Sequence, residues 1–194
     1  MKVSTLRFLL YLIVAFTAMP MSNESVNIYA SYAYYSLMLA MTLFFMKKDS
    51  IWFRFWIPDV KSGVLKGLLF FPAFFFLSFL INAMFPVSLQ TQNNVDIHSF
   101  TLFFLIVVVA PLVEEIMFRG YIQEYFRGRL TSEWTVLISA LVFSFFHPFN
   151  LFPQVFVSGV FLSYLRESTG SLLPGIIIHF LNNLMGYLSA LFAG

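Results

Sequence analysis

The sequence predicts an all-α fold, a polytopic bundle of transmembrane helices, and three observations carry that expectation. Of the 194 residues 60% are hydrophobic and 10% are charged, against about a quarter charged in soluble domains. Phenylalanine alone supplies 27 residues, more than a soluble fold of this size can hide. Several apolar runs reach the roughly 20 residues that a helix needs to cross a bilayer. About seven spans are expected, near 4–20, 27–46, 63–83, 99–119 (with a continuation to 128), 133–147, 153–165 and 172–192.

Taken in order, the first span follows Lys2 and Arg7 and ends at Ala15-Phe16-Thr17-Ala18-Met19-Pro20. No clean small-x-small cleavage site is present, so an uncleaved helix is expected rather than a signal peptide. The second span ends at Lys47-Lys48 and leads into KKDSIWFRFWIPDVKSG. There Trp52, Phe53, Phe55 and Trp56 alternate with Arg54 and Lys61, which suits a segment lying at headgroup level. The third span contains Pro72, which removes a helical donor and predicts a kink. The polar connection PVSLQTQNNVDIHS follows, with His98 as a solvated loop residue. The fourth holds Pro111 and then VEEIMFRG, residues 113–120. The fifth and sixth are short for full crossings, so broken or tilted helices are expected. The seventh contains IIIHFLNNLMG.

Simple alternation of these spans puts every Lys and Arg on one side: Lys2, Arg7, Lys47, Lys48, Arg54, Lys61, Lys66, Arg119, Arg127, Arg129 and Arg166. The positive-inside rule then predicts a cytoplasmic N-terminus and an external C-terminus. Cysteine is absent, which excludes disulfides and thiolate metal sites. With no repeat, low-complexity tract or flexible linker, 1–194 reads as a single transmembrane domain.

Ionisable groups inside a span cost several kcal/mol unless paired or hydrated, so they are functional candidates by default. Glu115 and Arg119 are four residues apart and face each other on a helix, as an ion pair does. Glu114 lies about 100° around the helix and is left for chemistry. His179 and Asn183 share one face of the last span, and Phe143 and His147 repeat that spacing two spans earlier. If the fourth helix continues to Arg129, then Glu114, His147 and His179 each lie roughly 20 Å from the basic edge, at 1.5 Å per residue. Three helices distant in sequence thus carry a carboxylate and two imidazoles to one level, in a wet pocket beneath the cytosolic face.

Such a set suits hydrolysis. Glu114 can take a proton from water, a histidine can position that water, and His179 with Asn183 can donate to the oxyanion of a tetrahedral intermediate. Two other readings use the same atoms. Glu114, His147 and His179 can hold Zn²⁺ with a water position open, although no HExxH spacing is present. A Glu/His relay can serve a proton-coupled carrier, but no inverted repeat is visible.

At these residues the chain resembles the CAAX protease and bacteriocin-processing family (ABI or CPBP), which includes the type II CAAX prenyl endopeptidases. Glu114-Glu115-Ile116-Met117-Phe118-Arg119 matches its EExxxR motif, Phe143-Ser144-Phe145-Phe146-His147 its FxxxH, and His179-Phe180-Leu181-Asn182-Asn183 its HxxxN. The resemblance covers about 99–190 and implies an intramembrane endopeptidase of the glutamate-dependent kind. It implies that Glu114 activates the water with His147, that His179 and Asn183 form the oxyanion hole, and that Glu115 and Arg119 support the site, with Phe143 as the further motif position. A metal-free mechanism is expected, with zinc as the variant, because Asn183 is an oxyanion donor and a poor zinc ligand. Seven spans rather than eight departs from the family at its periphery. The expected partners are a peptide or membrane-protein substrate and the lipid bilayer of a bacterial inner membrane, with no nucleic acid. A non-catalytic bacteriocin-immunity or scaffold protein is the alternative from another class.

Overall fold

The computed structural model describes residues 3–22, 27–51, 60–86 and 98–193. Among them are seven helices longer than one short turn: α1 (Thr5–Ala18), α2 (Ile28–Lys48), α3 (Val60–Met84), α4 (Phe100–Arg127), α5 (Ser132–Phe145), α6 (Phe152–Thr169) and α7 (Leu173–Ala193). The described residues contain no strand. Four helices, α2, α3, α4 and α7, are long and apolar enough to cross a membrane, while α1 and α5 are shorter apolar helices. The chain is an integral membrane protein of helical architecture.

The fourth expected span takes its longer form and runs unbroken for 28 residues to Arg127. It is not a regular α-helix. It winds as π-helix over Leu105–Val109 and again over Glu115–Ile122. Pro111 explains where a gap opens in the first wide stretch. In that register each N–H reaches the carbonyl five residues back, as Ala110 does to Leu105. The partner of the Ile106 carbonyl would therefore be Pro111, which has no N–H. Pro72, by contrast, lies inside an α3 that continues from Val60 to Met84.

The fifth helix is shorter than expected. It ends at Phe145, so His147 lies beyond it rather than on its last turn. The cause is Pro148, whose ring disfavours helical backbone at the preceding residue.

Glycines set the closest packing. A Cβ at Gly63 would stand 2.9 Å from Cβ of Leu173, and one at Gly67 would stand 2.8 Å from Cβ of Ile177. These two positions, four apart, let α3 lie directly on α7, the small-residue packing that drives association where lipid is as apolar as the side chains. The N-terminal helix belongs to the same core: Phe8 stacks on Tyr125 of α4 at 3.6 Å, and Tyr11 shares a 2.7 Å hydroxyl contact with Thr42 of α2.

The basic residues collect at one end of the bundle. Arg7 at the start of α1 pairs with Asp49 just past α2, and the Tyr121 hydroxyl of α4 donates to the same carboxylate at 3.1 Å. Arg129 beyond α4 donates to the Val3 carbonyl at 2.7 Å, and Arg166 of α6 lies 3.9 Å from Glu124 of α4. The start of α1 therefore meets the ends of α2 and α4, and the end of α6 meets that of α4. The aromatic segment Trp52–Trp56 and most of the polar connection before His98 lie outside the described residues. His98 itself is exposed.

Candidate active site

Glu114 sits halfway along α4, between the two wide-wound stretches. Its Oε1 accepts a 2.9 Å hydrogen bond from the Tyr35 hydroxyl of α2. Its Oε2 lies 3.7 Å from His179 Nε2 and 3.9 Å from His147 Nε2. Helices α4 and α7 and the turn after α5 thus bring the carboxylate and both imidazoles together. The Glu114 side chain keeps 15% of its surface exposed, whereas Glu115 keeps 1%. The neighbouring carboxylates therefore have different surroundings: one opens on a cavity, the other is sealed in protein.

Glu115 forms the expected pair with Arg119, at 3.2 Å. It also does something the spacing did not indicate: its Oε1 accepts from His179 Nδ1 at 3.0 Å. Arg119 spreads over the Phe143 ring, 4.2 Å from its centroid, and its Nη2 donates to the Gly159 carbonyl at 3.4 Å. Phe143 lies 4.5 Å from the His147 ring and 6.1 Å from the His179 ring, centroid to centroid. It is the aromatic wall between the guanidinium and both imidazoles. Glu115 Oε2 is buried with no hydrogen-bond partner, and a Cβ at Gly175 would stand 2.9 Å from it. Gly175→Val should displace the Glu115 carboxylate, tilt His179 and cut turnover at least tenfold, read as kcat on purified protein.

The hydrogen bonds assign the proton positions. His147 Nδ1 lies 2.9 Å from the Phe143 carbonyl, which can only accept. His179 Nδ1 faces Oε1 of Glu115 in the same way. In its neutral form each ring therefore carries its proton on Nδ1 and presents a bare Nε2 toward Glu114. Three acceptors converge, and the space among them needs a proton donor such as water.

Asn183 is tied differently from the expectation. Its Nδ2 donates at 3.0 Å to the Ile106 carbonyl, the one left without a partner by Pro111, and its Oδ1 lies 3.4 Å from Asn182 Nδ2. One amide hydrogen of Asn183 thus anchors α7 to the wide turn of α4, and the second remains for a ligand. Asn183 and both histidines line the same cavity as Glu114. Among the described residues no group of three or more His, Asp or Glu side chains is arranged to hold a metal ion.

Tyr35 was not singled out by the sequence. The available signal was a run of tyrosines at 29, 32, 34 and 35 on an otherwise apolar span, since a buried tyrosine hydroxyl usually finds a partner. Tyr35→Phe should lower kcat about three- to tenfold and leave KM and Tm close to wild type. A purely structural hydroxyl would move Tm instead.

The cavity above these groups measures about 1200 Å³. It was expected beneath the face that carries the cations, but it extends toward the other end of the bundle. Its lining takes α3 only from Phe74 onward, α4 only as far as Phe118 and α6 only as far as Leu162.

No curated protein and no solved structure matches the chain. Residues 96–185 match the family model described as Type II CAAX prenyl endopeptidase Rce1-like. That segment holds all three motifs and every polar group of the site except Tyr35, so the likeness to the type II CAAX prenyl endopeptidases falls on the site itself.

Proposed function

We propose that the protein is an intramembrane endopeptidase that hydrolyses a peptide bond with water activated by Glu114. The observation that carries this reading is the meeting of Glu114 Oε2 with the Nε2 atoms of His147 and His179, at 3.9 and 3.7 Å, on the floor of a cavity inside an apolar bundle. The family match supports a protease in coarser terms.

The chemistry follows from the proton positions. A water about 2.8 Å from both Glu114 Oε2 and His147 Nε2 would see them roughly 90° apart, close to its own H–O–H angle. Glu114 takes one proton as the water oxygen attacks the carbonyl carbon, while His147 accepts the other hydrogen and aims the lone pair. Glu114 stays oriented because Tyr35 occupies its second oxygen. The tetrahedral oxyanion accepts from the second amide hydrogen of Asn183. It also accepts from His179 Nε2 once Glu114 has passed the proton taken from water to that ring, an imidazolium that Glu115 stabilises until it gives the same proton to the leaving nitrogen. The C–N bond then breaks, and the proton taken from water leaves with the amine.

No step is routed through a metal. Chelation with a strong zinc ligand should leave cleavage within about twofold of the untreated enzyme. Loss of activity that zinc alone restores would replace this mechanism with the zinc variant, held by Glu114, His147 and His179. The experiment that tests the function itself is incubation of purified protein with a peptide library, with products mapped by mass spectrometry. Absence of any cut across the library would favour the immunity or scaffold alternative. The same reading places the N-terminus in the cytoplasm, with seven membrane-inserted helices in a bacterial inner membrane.

A further inference from the structure

We propose that substrate reaches Glu114 from the face of the bundle opposite the lysines and arginines, as an uncharged, apolar polypeptide segment displayed on that face. This rests on the peptidase reading and adds its direction and substrate class.

The first observation is the one-sided cavity. Helix α2 contributes only Tyr34 and Tyr35, near its start, and α7 contributes only residues from His179 onward. With the late part of α3 and the early parts of α4 and α6, these segments all occupy one end of an up-and-down bundle. Met19 and Pro20, just past α1, continue the wall at that end. Toward the end where Arg7, Lys48, Arg127 and Arg166 stand, the lining stops at Phe118 of α4, Leu162 of α6 and His179 of α7.

The second observation is the charge of that end. Its described residues, 19–22, 27, 85–86, 98–99, 146–151 and 184–193, include no Lys or Arg, and in sequence the connections 23–26 and 87–97 contain none either. Positive residues are retained on the cytoplasmic side of membrane proteins, so the cavity faces the outer leaflet.

The third is the lining itself. Among the described residues it holds apolar side chains, neutral polar groups such as Ser78, Asn82 and Gln154, the two histidines, and no Asp, Glu, Lys or Arg besides Glu114. A substrate carboxylate or phosphate would find no Lys or Arg there, the two imidazoles being engaged with Glu114, and burying an unpaired charge is prohibitive. The bond cut is therefore internal to an apolar stretch and not adjacent to a free C-terminus. Amides such as Asn82 can serve the hydrogen-bonding groups of an unwound backbone, which lipid leaves unsatisfied. At about 1200 Å³ the space exceeds the roughly 300–1,000 Å³ of small-molecule pockets, which fits several residues of polypeptide.

Because the chain has no cysteine, the direction can be tested without altering the background. Full-length Asn82→Cys and Met84→Cys mark the cavity end, and Lys48→Cys marks the other. In spheroplasts of a bacterial host, a membrane-impermeant maleimide should label the first two, and should label Lys48→Cys only after permeabilisation. Labelling of Lys48→Cys in intact spheroplasts, or protection of both Asn82→Cys and Met84→Cys, overturns the proposal. In the peptide assay, placing Asp or Lys beside the cut bond should lower kcat/KM at least tenfold, and preferred cutting next to a free C-terminal carboxylate overturns the substrate class. A protein that labels as expected yet cuts nothing refutes the peptidase reading alone. One that cuts but labels in reverse refutes the direction alone.

Discussion

Glu114→Gln is expected to lower the rate of peptide cleavage about 10²- to 10⁴-fold, the usual loss when a positioned general base is removed. The substitution is nearly isosteric. Its Oε1 can still accept from Tyr35, which in the native chain reaches the carboxylate at 2.9 Å, so the bundle should keep its thermal stability. What disappears is the capacity of the second oxygen, the atom facing both imidazoles, to take a proton. Cleavage that survives at more than a tenth of the wild-type rate, in protein of unchanged Tm, removes Glu114 from the role of base. His147→Ala and His179→Ala should follow it closely, because the three groups work on one water and one oxyanion.

Arg119→Leu is expected to be the most destabilising single change near the site. Arg119 and Glu115 each keep about 1% of their side-chain surface exposed. Removing one member of such a pair leaves a buried charge uncompensated, at a cost of about 3–5 kcal/mol. A large drop in Tm in detergent would report it. The double variant Glu115→Leu/Arg119→Leu should recover much of that stability, since replacing both charges with apolar groups is often neutral. It should not recover activity, because His179 Nδ1 loses the carboxylate it faces at 3.0 Å. If the single variant unfolds where wild type does, the pair contributes nothing to the fold. If the double variant cleaves normally, Glu115 has no part in orienting the ring.

Much of this site was legible in the sequence, and the parts that were not have physical reasons. Spacing alone paired Glu115 with Arg119, because residues four apart meet on a helix. Counting residues from the basic edge brought Glu114, His147 and His179 to one depth, because rise per residue is nearly constant. Tyr35 stayed hidden: α2 is apolar nearly all round, and nothing in a single tyrosine tells which neighbour its hydroxyl will meet. The anchoring of Asn183 on Ile106 could not be read either, since it depends on the wide winding of α4 at Leu105–Val109. The extent of the cavity toward the end without cations could not be read, because residue spacing gives the depth of a group and not the space between helices.

That winding has a consequence for how much change of length the chain tolerates. Each π turn holds one residue more than the α-helix that would replace it, and one residue turns an α-helix by about 100°. Deleting a single residue between 105 and 122 would let the coil relax into the narrower form and rotate everything on one side of the deletion. Glu115 would then swing out of the seam where Gly175 leaves it room, even though no functional side chain had been replaced. This stretch should accept substitutions far more readily than insertions or deletions, and alignments that assume uniform helical phase will misassign which of its residues face one another.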